Sequence, residues 1–207
     1  MESCFAQRKL PARNRQARPW IVGASVLTLL CCVGSQAAPS AQSWRIDETH
    51  TSIGFKIDAV GFPTTRGRFV HYSGRIRIDF DHPANSFTAF TVDSTSLDVG
   101  SRSFNDFVKS AALLNVAKFP TLSFTSTQIE KIDSHTASVK GDLTMLGVTK
   151  PIMLTVNVVT DRSVGGRDVA FSASATIKRS EFGMIFGIPL IDDALEIIVT
   201  TRALGSG

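Results

Sequence analysis

From Ser43 onward, apolar and polar residues alternate with a period of two, the pattern of strands that bury one face. In the first run Ile53, Phe55 and Ile57 share one side, and Ser52, Gly54, Lys56 and Asp58 share the other. Gly61-Phe62-Pro63 is expected to break it. A second run, Arg66 to Phe80, sets Ile76, Ile78 and Phe80 against Arg75, Arg77 and Asp79; Phe69 is out of phase, which a bulge at Ser73-Gly74 would repair. Asp81 to Asn85 reads as a turn, and a third, less regular run covers Ser86 to Val99 and closes at Gly100. Arg102 to Val116 is the one stretch with helical spacing, through Phe104, Phe107, Val108 and Ala111, and Pro120 limits it. Four runs follow, Thr121 to Lys131, Ala137 to Leu146, Ile152 to Asp161 and Val169 to Lys178, with turns at Asp133-Ser134, Gly147 and Gly165-Gly166. Beyond Arg179-Ser180 a glycine-containing apolar segment, Phe182 to Ile191, leads to a last run in which Leu195, Ile197 and Val199 oppose Glu196, Ile198 and Thr200.

Eight runs, one short helix and only hairpin-length connections predict an all-β fold, an eight-stranded antiparallel barrel that closes on itself and so removes its edges. A barrel of that size is either filled by its own side chains or holds one small ligand. A two-layer sandwich is the alternative that the alternation leaves open.

The first residues differ. Five basic residues (Arg8, Lys9, Arg13, Arg15, Arg18) precede a 14-residue apolar run from Ile21 to Gly34, and Ser35-Gln36-Ala37 follows with small residues. This is the pattern of a cleaved signal peptide, expected over residues 1–37, with the folded domain over 43–204. The run is shorter than the roughly 20 residues that a spanning helix needs. Without the leader the chain carries 17 basic and 17 acidic residues, so the overall excess of cations is a targeting feature and points to no nucleic-acid partner. All three cysteines (Cys4, Cys31, Cys32) fall in the leader, which excludes disulfides, thiol nucleophiles and cysteine metal sites from the domain.

Little else in the sequence points to catalysis. The four histidines, His50, His71, His82 and His135, are never two or four residues apart, so no metal site is expected. Asp192-Asp193 would point apart in a strand or turn, and a capping or turn role suits them better than a shared-proton pair. No nucleophile elbow, phosphate loop or dinucleotide fingerprint is present. No catalytic residue and no cofactor is assigned. Arg66, Arg68, Lys109, Lys150 and Arg179 fall near strand ends, where they are either solvated rim or, if they converge, contacts for a polar head group.

A set of short motifs, in order along the domain, resembles the YceI family. They are Asp47-x-x-His50 leading to Phe55, Arg66-Gly67-Arg68-Phe69, Ser96-Leu97-Asp98, Val116 to Phe124 around Phe119-Pro120, Gly141-Asp142-Leu143-Thr144 with Gly147 to Pro151, and Arg179-Ser180-x-Phe182-Gly183-Met184. The resemblance implies a lipocalin-like antiparallel barrel in the bacterial periplasm that encloses a polyisoprenoid or similar amphiphile. Three positions depart from the family pattern. Ala59 stands where a histidine is common, Phe104-Asn105-Asp106-Phe107 replaces an Arg-Asp-x-His segment, and Leu113-Leu114 replace paired aromatics. These losses imply a more apolar mouth or a different head group.

The expected binding wall is the inward face of the runs: Phe55, Ile57, Ile78, Phe90, Phe124, Met145, Leu154, Val156, Phe171, Leu195 and Ile197, with Met184 and Phe186 at one end. His50, Arg66, Lys109 and Arg179 are the head-group candidates. The expected ligand is an isoprenoid lipid or quinone-like amphiphile held for sequestration or transport, with transient membrane-surface contact and a dimer as further possibilities. Two alternatives stay open. One is an enzyme acting on such a lipid, drawing on His50, Asp47 and Asp98 as acid/base groups; the other is a ligand-free envelope interaction module with a solid core.

Overall fold

The computed structural model describes residues 42–46, 48–79, 82–160 and 169–203. The expected leader, Asp47, Phe80, Asp81, Asp161 and the Gly165-Gly166 turn lie outside the described residues. Eleven strands form one antiparallel sheet: β1 (Gln42–Ile46), β2 (Thr51–Ala59), β3 (Phe62–Phe69), β4 (Tyr72–Ile78), β5 (Phe87–Asp93), β6 (Leu97–Asp98), β7 (Thr121–Lys131), β8 (Thr136–Met145), β9 (Val148–Thr160), β10 (Val169–Lys178) and β11 (Ile191–Ala203). One helix, α1 (Arg102–Lys109), lies between β6 and β7. Among the described residues the all-β class and one α-helix are as the alternation predicts. The strand count is not.

Each of the first three runs contains a break, which turns eight expected strands into eleven. A turn at residues 48–50 separates β1 from β2. Val70 and His71 separate β3 from β4 and reset the phase, so Phe69 lies on the inner side with Ile76 and Ile78. No bulge forms at Ser73-Gly74, since β4 pairs without interruption with β1 on one side and β5 on the other. A turn of 3-10 helix, Ser94–Ser96, divides β5 from β6: the Asp93 carboxylate accepts from the Thr95 amide and hydroxyl at 2.8 and 2.6 Å. Polar side chains that bond nearby backbone in this way compete with the ladder. Phe62 and Pro63, expected as a breaker, begin β3, and the reversal is made by Val60-Gly61.

The helix is shorter than its spacing predicts. It stops at Lys109, where Ser110 turns extended, and Asn115 then takes a left-handed backbone (φ 43) that lets its amide reach the Ser110 carbonyl at 2.8 Å. The chain therefore leaves the helix well before Pro120.

The strand order is β1-β4-β5-β7-β8-β9-β10-β11-β2-β3-β6. β3 and β4 thus stand near opposite edges of the sheet, yet only Val70 and His71 join them, a reach of about 11 Å at most. The sheet must roll for its two ends to meet, which rules out two stacked layers. The junction is stitched by the 94–96 turn. The Val70 and His71 amides donate to Ser96 Oγ at 3.1 and 3.0 Å, the Asp93 amide donates to the His71 carbonyl at 2.9 Å, and the Tyr72 hydroxyl donates to the Thr51 carbonyl. Among the described residues no ladder joins β1 to β6, so the barrel is incompletely closed.

Inside, Leu97 and Phe182, each 1% exposed, pack with Leu114, Met145, Met184 and Ile177. Each such side chain contributes about 1.5–3 kcal/mol by leaving water. The β8–β9 hairpin turns through Leu146-Gly147, both at positive φ (52 and 74), the geometry whose twist matches its strands. On β8, Gly141 is required by space: a Cβ there would sit 2.4 Å from the Phe124 ring and 2.5 Å from the Thr125 carbonyl. Gly141→Ala is therefore expected to lower the unfolding free energy by about 1–3 kcal/mol, read as a lower urea midpoint at unchanged slope.

Candidate functional site

The inward side chains do not fill the barrel. They enclose a cavity of ≈ 740 Å³, within the range of about 300–1,000 Å³ in which small-molecule sites fall. Its wall draws on β2 to β5, β7 to β11 and α1. Along β7 the lining runs from Leu122 to Lys131, about 30 Å of strand at ~3.3 Å per residue. With strands tilted by about 40°, that is ~23 Å along the barrel axis. The site is long and narrow.

Its two ends differ in chemistry. At one end stand Phe62 and Pro63 of the β2–β3 hairpin with Phe104 and Phe107 of α1. At the other are Lys131, Asp133, Ser134, His135 and Thr136 around the β7–β8 turn, with Asp79 and Ser86 beside it. Here Asp133 accepts the His135 and Thr136 amides at 2.7 and 2.8 Å, and the bond from the His135 amide is the main reason its carboxyl lies below the usual carboxylate range. Asp79 accepts the His82 amide at 2.7 Å and the Asn85 side chain at 3.4 Å. These carboxylates hold their own turns, which leaves the lysine, hydroxyl and imidazole groups as the polar surface available to a ligand.

Of the thirteen side chains that the alternation nominates for the wall, twelve line the cavity: Phe55, Ile57, Ile78, Phe90, Phe124, Met145, Leu154, Val156, Phe171, Met184, Leu195 and Ile197. Phe186 does not. It stands half exposed outside, edge-on to Phe107 with ring centres 5.5 Å apart. Ile76, Val92, Leu143 and Ala173 also line the wall, each two positions from a nominated residue, and Val139 lies in phase with Met145 on the same strand. Thr88 shares that face through Phe90, and its buried hydroxyl has no partner among the described residues.

The head-group candidates do not converge. His50 sits in the exposed turn before β2 with Nδ1 2.8 Å from Thr49 Oγ1, outside the wall. Arg66 is exposed on β3, opposite Lys56 in register, and Lys109 ends α1 away from the cavity. Arg179 alone reaches the lining, at 1% exposure, but its guanidinium is used by the protein. Nε donates to the Asp192 carbonyl (2.8 Å), Nη1 to the Met184 carbonyl (2.8 Å) and Nη2 to the Ile191 carbonyl (2.9 Å). Burial lowers its pKa, and the Asp193 and Asp192 carboxylates partly offset that. A long chain with a planar fork of donors thus ties three carbonyls of the segment entering β11 to the end of β10.

The acid pair behaves as a turn former. Asp193 accepts the Ser180 amide and hydroxyl at 2.8 and 2.7 Å, while Asp192 accepts the Ala194 amide at 3.0 Å. Asp98 is bound up in its own loop, accepting from the Gly100 amide (2.9 Å), Asn105 (3.4 Å) and Arg68 (3.4 Å), and does not line the cavity. His50 and Asp98 therefore do not meet in it. Among the described residues no three His, Cys, Asp or Glu side chains gather as a metal would require.

Two outcomes are expected from this clamp. Arg179→Met removes the donors of three carbonyls, one buried and two partly buried, and should lower the unfolding free energy by about 3 kcal/mol in urea titration. Asp193 is held below the usual carboxylate range, first by the Ser180 hydroxyl and then by its amide. Its stabilising contribution is complete above the ordinary value near pH 4 and drains as the pH falls through the lower folded value. Asp193→Asn should flatten the loss of thermal stability below about pH 4.

Comparison with known proteins places this geometry. The model of the YceI-like domain matches residues 44–203. Protein YceI of Escherichia coli O157:H7 is 28% identical over 188 residues, covering 89% of this chain and 96% of that protein. A Campylobacter jejuni YceI protein of known structure superposes with a TM-score of 0.63 at 27% identity, covering 78% of this chain and 97% of that one. A polyisoprenoid binding domain from Saccharophagus degradans, implicated in plant cell wall breakdown, superposes with a TM-score of 0.59 at 14% identity, covering 81% and 100%. The rolled sheet, its elongated interior and a match that runs from β1 to the last strand agree with one another, and the chain belongs to the YceI-like family.

Proposed function

We propose that the protein is a periplasmic carrier that holds one isoprenoid lipid, or a quinone with a prenyl tail, along the barrel axis for sequestration or transport. The observation that carries this reading is the long cavity whose middle is walled by aliphatic and aromatic side chains from nine strands. The Saccharophagus domain, which shares the fold, is described as binding polyisoprenoids. The apolar run near the N-terminus supports export to the periplasm, where such a lipid would be met at a membrane surface.

Energetics favour selection by length. A buried methylene contributes about 0.8 kcal/mol, so a five-carbon isoprene unit contributes roughly 3–4 kcal/mol gross. A few units exceed what binding retains after ordering costs, so further affinity is not the limit. What the barrel can enforce is how many units fit along the wall between the β7–β8 turn and the aromatic-rimmed end, where Met145, Met184 and Arg179 also line it. In this reading the head group seats at the β7–β8 turn, against Lys131, Ser134 and His135, instead of at His50, Arg66, Lys109 or Arg179.

Organic extracts of the natively purified protein, read by mass spectrometry, should contain a prenyl chain at near one per barrel; repeated absence of any prenyl or acyl chain would sink the reading. Ala173→Phe and Val156→Phe, which project into the cavity, are expected to weaken binding of a long prenyl alcohol by about tenfold or more while leaving that of a shorter one less affected. Equal loss for all lengths would count against selection by length.

A further inference from the structure

We infer that the aromatic-rimmed end of the barrel is a docking face for a phospholipid bilayer, an inference that rests on the carrier reading and assigns it a membrane-facing side. Eight of the eleven large apolar side chains exposed among the described residues fall on three segments at this end. The β2–β3 hairpin supplies Val60 and Phe62, 71% and 76% exposed; α1 supplies Phe104 and Phe107; the segment before β11 supplies Ile185, Phe186, Ile188 and Leu190. These segments touch. The Val60 amide donates to the Leu190 carbonyl at 2.8 Å, Phe107 meets Phe186 edge-on, and Phe104 stacks on Phe107 with ring centres 6.3 Å apart. Scattered exposed apolar residues are ordinary on a protein surface, whereas a joined set of this kind marks an interaction site.

The occupant follows from continuity. Phe62, Phe104 and Phe107 belong both to the exposed rim and to the cavity wall, so outside and inside form one apolar surface. Whatever covers the rim is in register with the interior and can exchange a hydrocarbon chain without exposing it to water. A bilayer does this, while a second copy of the chain seated there would close the mouth. Charges around the rim are of both signs, with Arg102, Asp106 and Lys109 on α1 and Lys178 and Glu181 near the loop. Docking is therefore driven by insertion of apolar groups at the interface, and it needs neither anionic lipid nor low salt.

The test is flotation of the purified chain with vesicles of phosphatidylcholine alone, beside a triple variant, Val60→Asp, Phe186→Asp and Leu190→Asp, whose side chains are exposed and do not line the cavity. The unsubstituted protein should float with the vesicles at low and at 0.5 M salt, roughly alike because the contact is apolar. The variant should bind them about tenfold more weakly or less, yet bind a C20 prenyl alcohol in detergent solution as well as before. Vesicle binding retained by the variant places the contact elsewhere in the chain and overturns the inference, as does failure of the unsubstituted protein to float. A dimer in solution that the same substitutions dissolve, without vesicle binding, overturns it in favour of a second copy. If vesicle docking and its loss hold while no prenyl alcohol binds, the docking face stands and the carrier reading falls.

Discussion

The interior of this protein exists because one short bend joins the two ends of its sheet. Val70 and His71 carry the chain from β3 to β4, across what would be the whole width of a flat sheet, and two residues can do so only if the sheet is rolled. Ser96 holds the bend by accepting both amides on its hydroxyl. Asp93 in turn shapes the 94–96 turn that brings Ser96 there. A handful of small polar side chains therefore decides whether the greasy faces of eleven strands enclose a space or lie open.

Enclosure alone does not make a cavity, because a barrel of this width can be plugged by its own residues. The interior here is filled in part, with Leu97, Phe182, Leu114, Met145 and Met184 packed together beside the aromatic rim and Arg179 tying down the backbone of the segment before β11. Arg179 shows how a charged side chain serves as structure. Its fork donates to three carbonyls of the segment entering β11, and nearby carboxylates balance its charge. The rest of the interior is left open at small wall residues such as Ala173.

The resulting site is polarised along its axis. Hydroxyls, Lys131 and an imidazole stand near the β7–β8 turn, and aromatic rings stand at α1 and the β2–β3 hairpin. An amphiphile has the same polarity. A pole of each kind at the ends of a long apolar wall sets the orientation of a bound chain without any strong single contact, as suits a protein that must also release it.

Much of this was legible in the alternation. Period-two spacing assigns β7 and β10 their ends, the all-β class and the inner face, and it names twelve of the wall residues because successive side chains in a strand must point to opposite sides. The break at residues 70–71 was not legible, since it depends on the Ser96 hydroxyl, which meets the Val70 and His71 amides only after distant segments have come together. Nor were the roles of the basic residues: nothing in its neighbours along the chain tells that Arg179 is spent on the 184–192 backbone while Lys131 faces the cavity. Phe186 has the spacing of a wall residue, but Phe107 of α1 draws it to the outside. What the chain determined by itself is which side of each strand avoids water. Tertiary structure alone decided how far apart those sides stand, and so whether they touch each other or leave room for a guest.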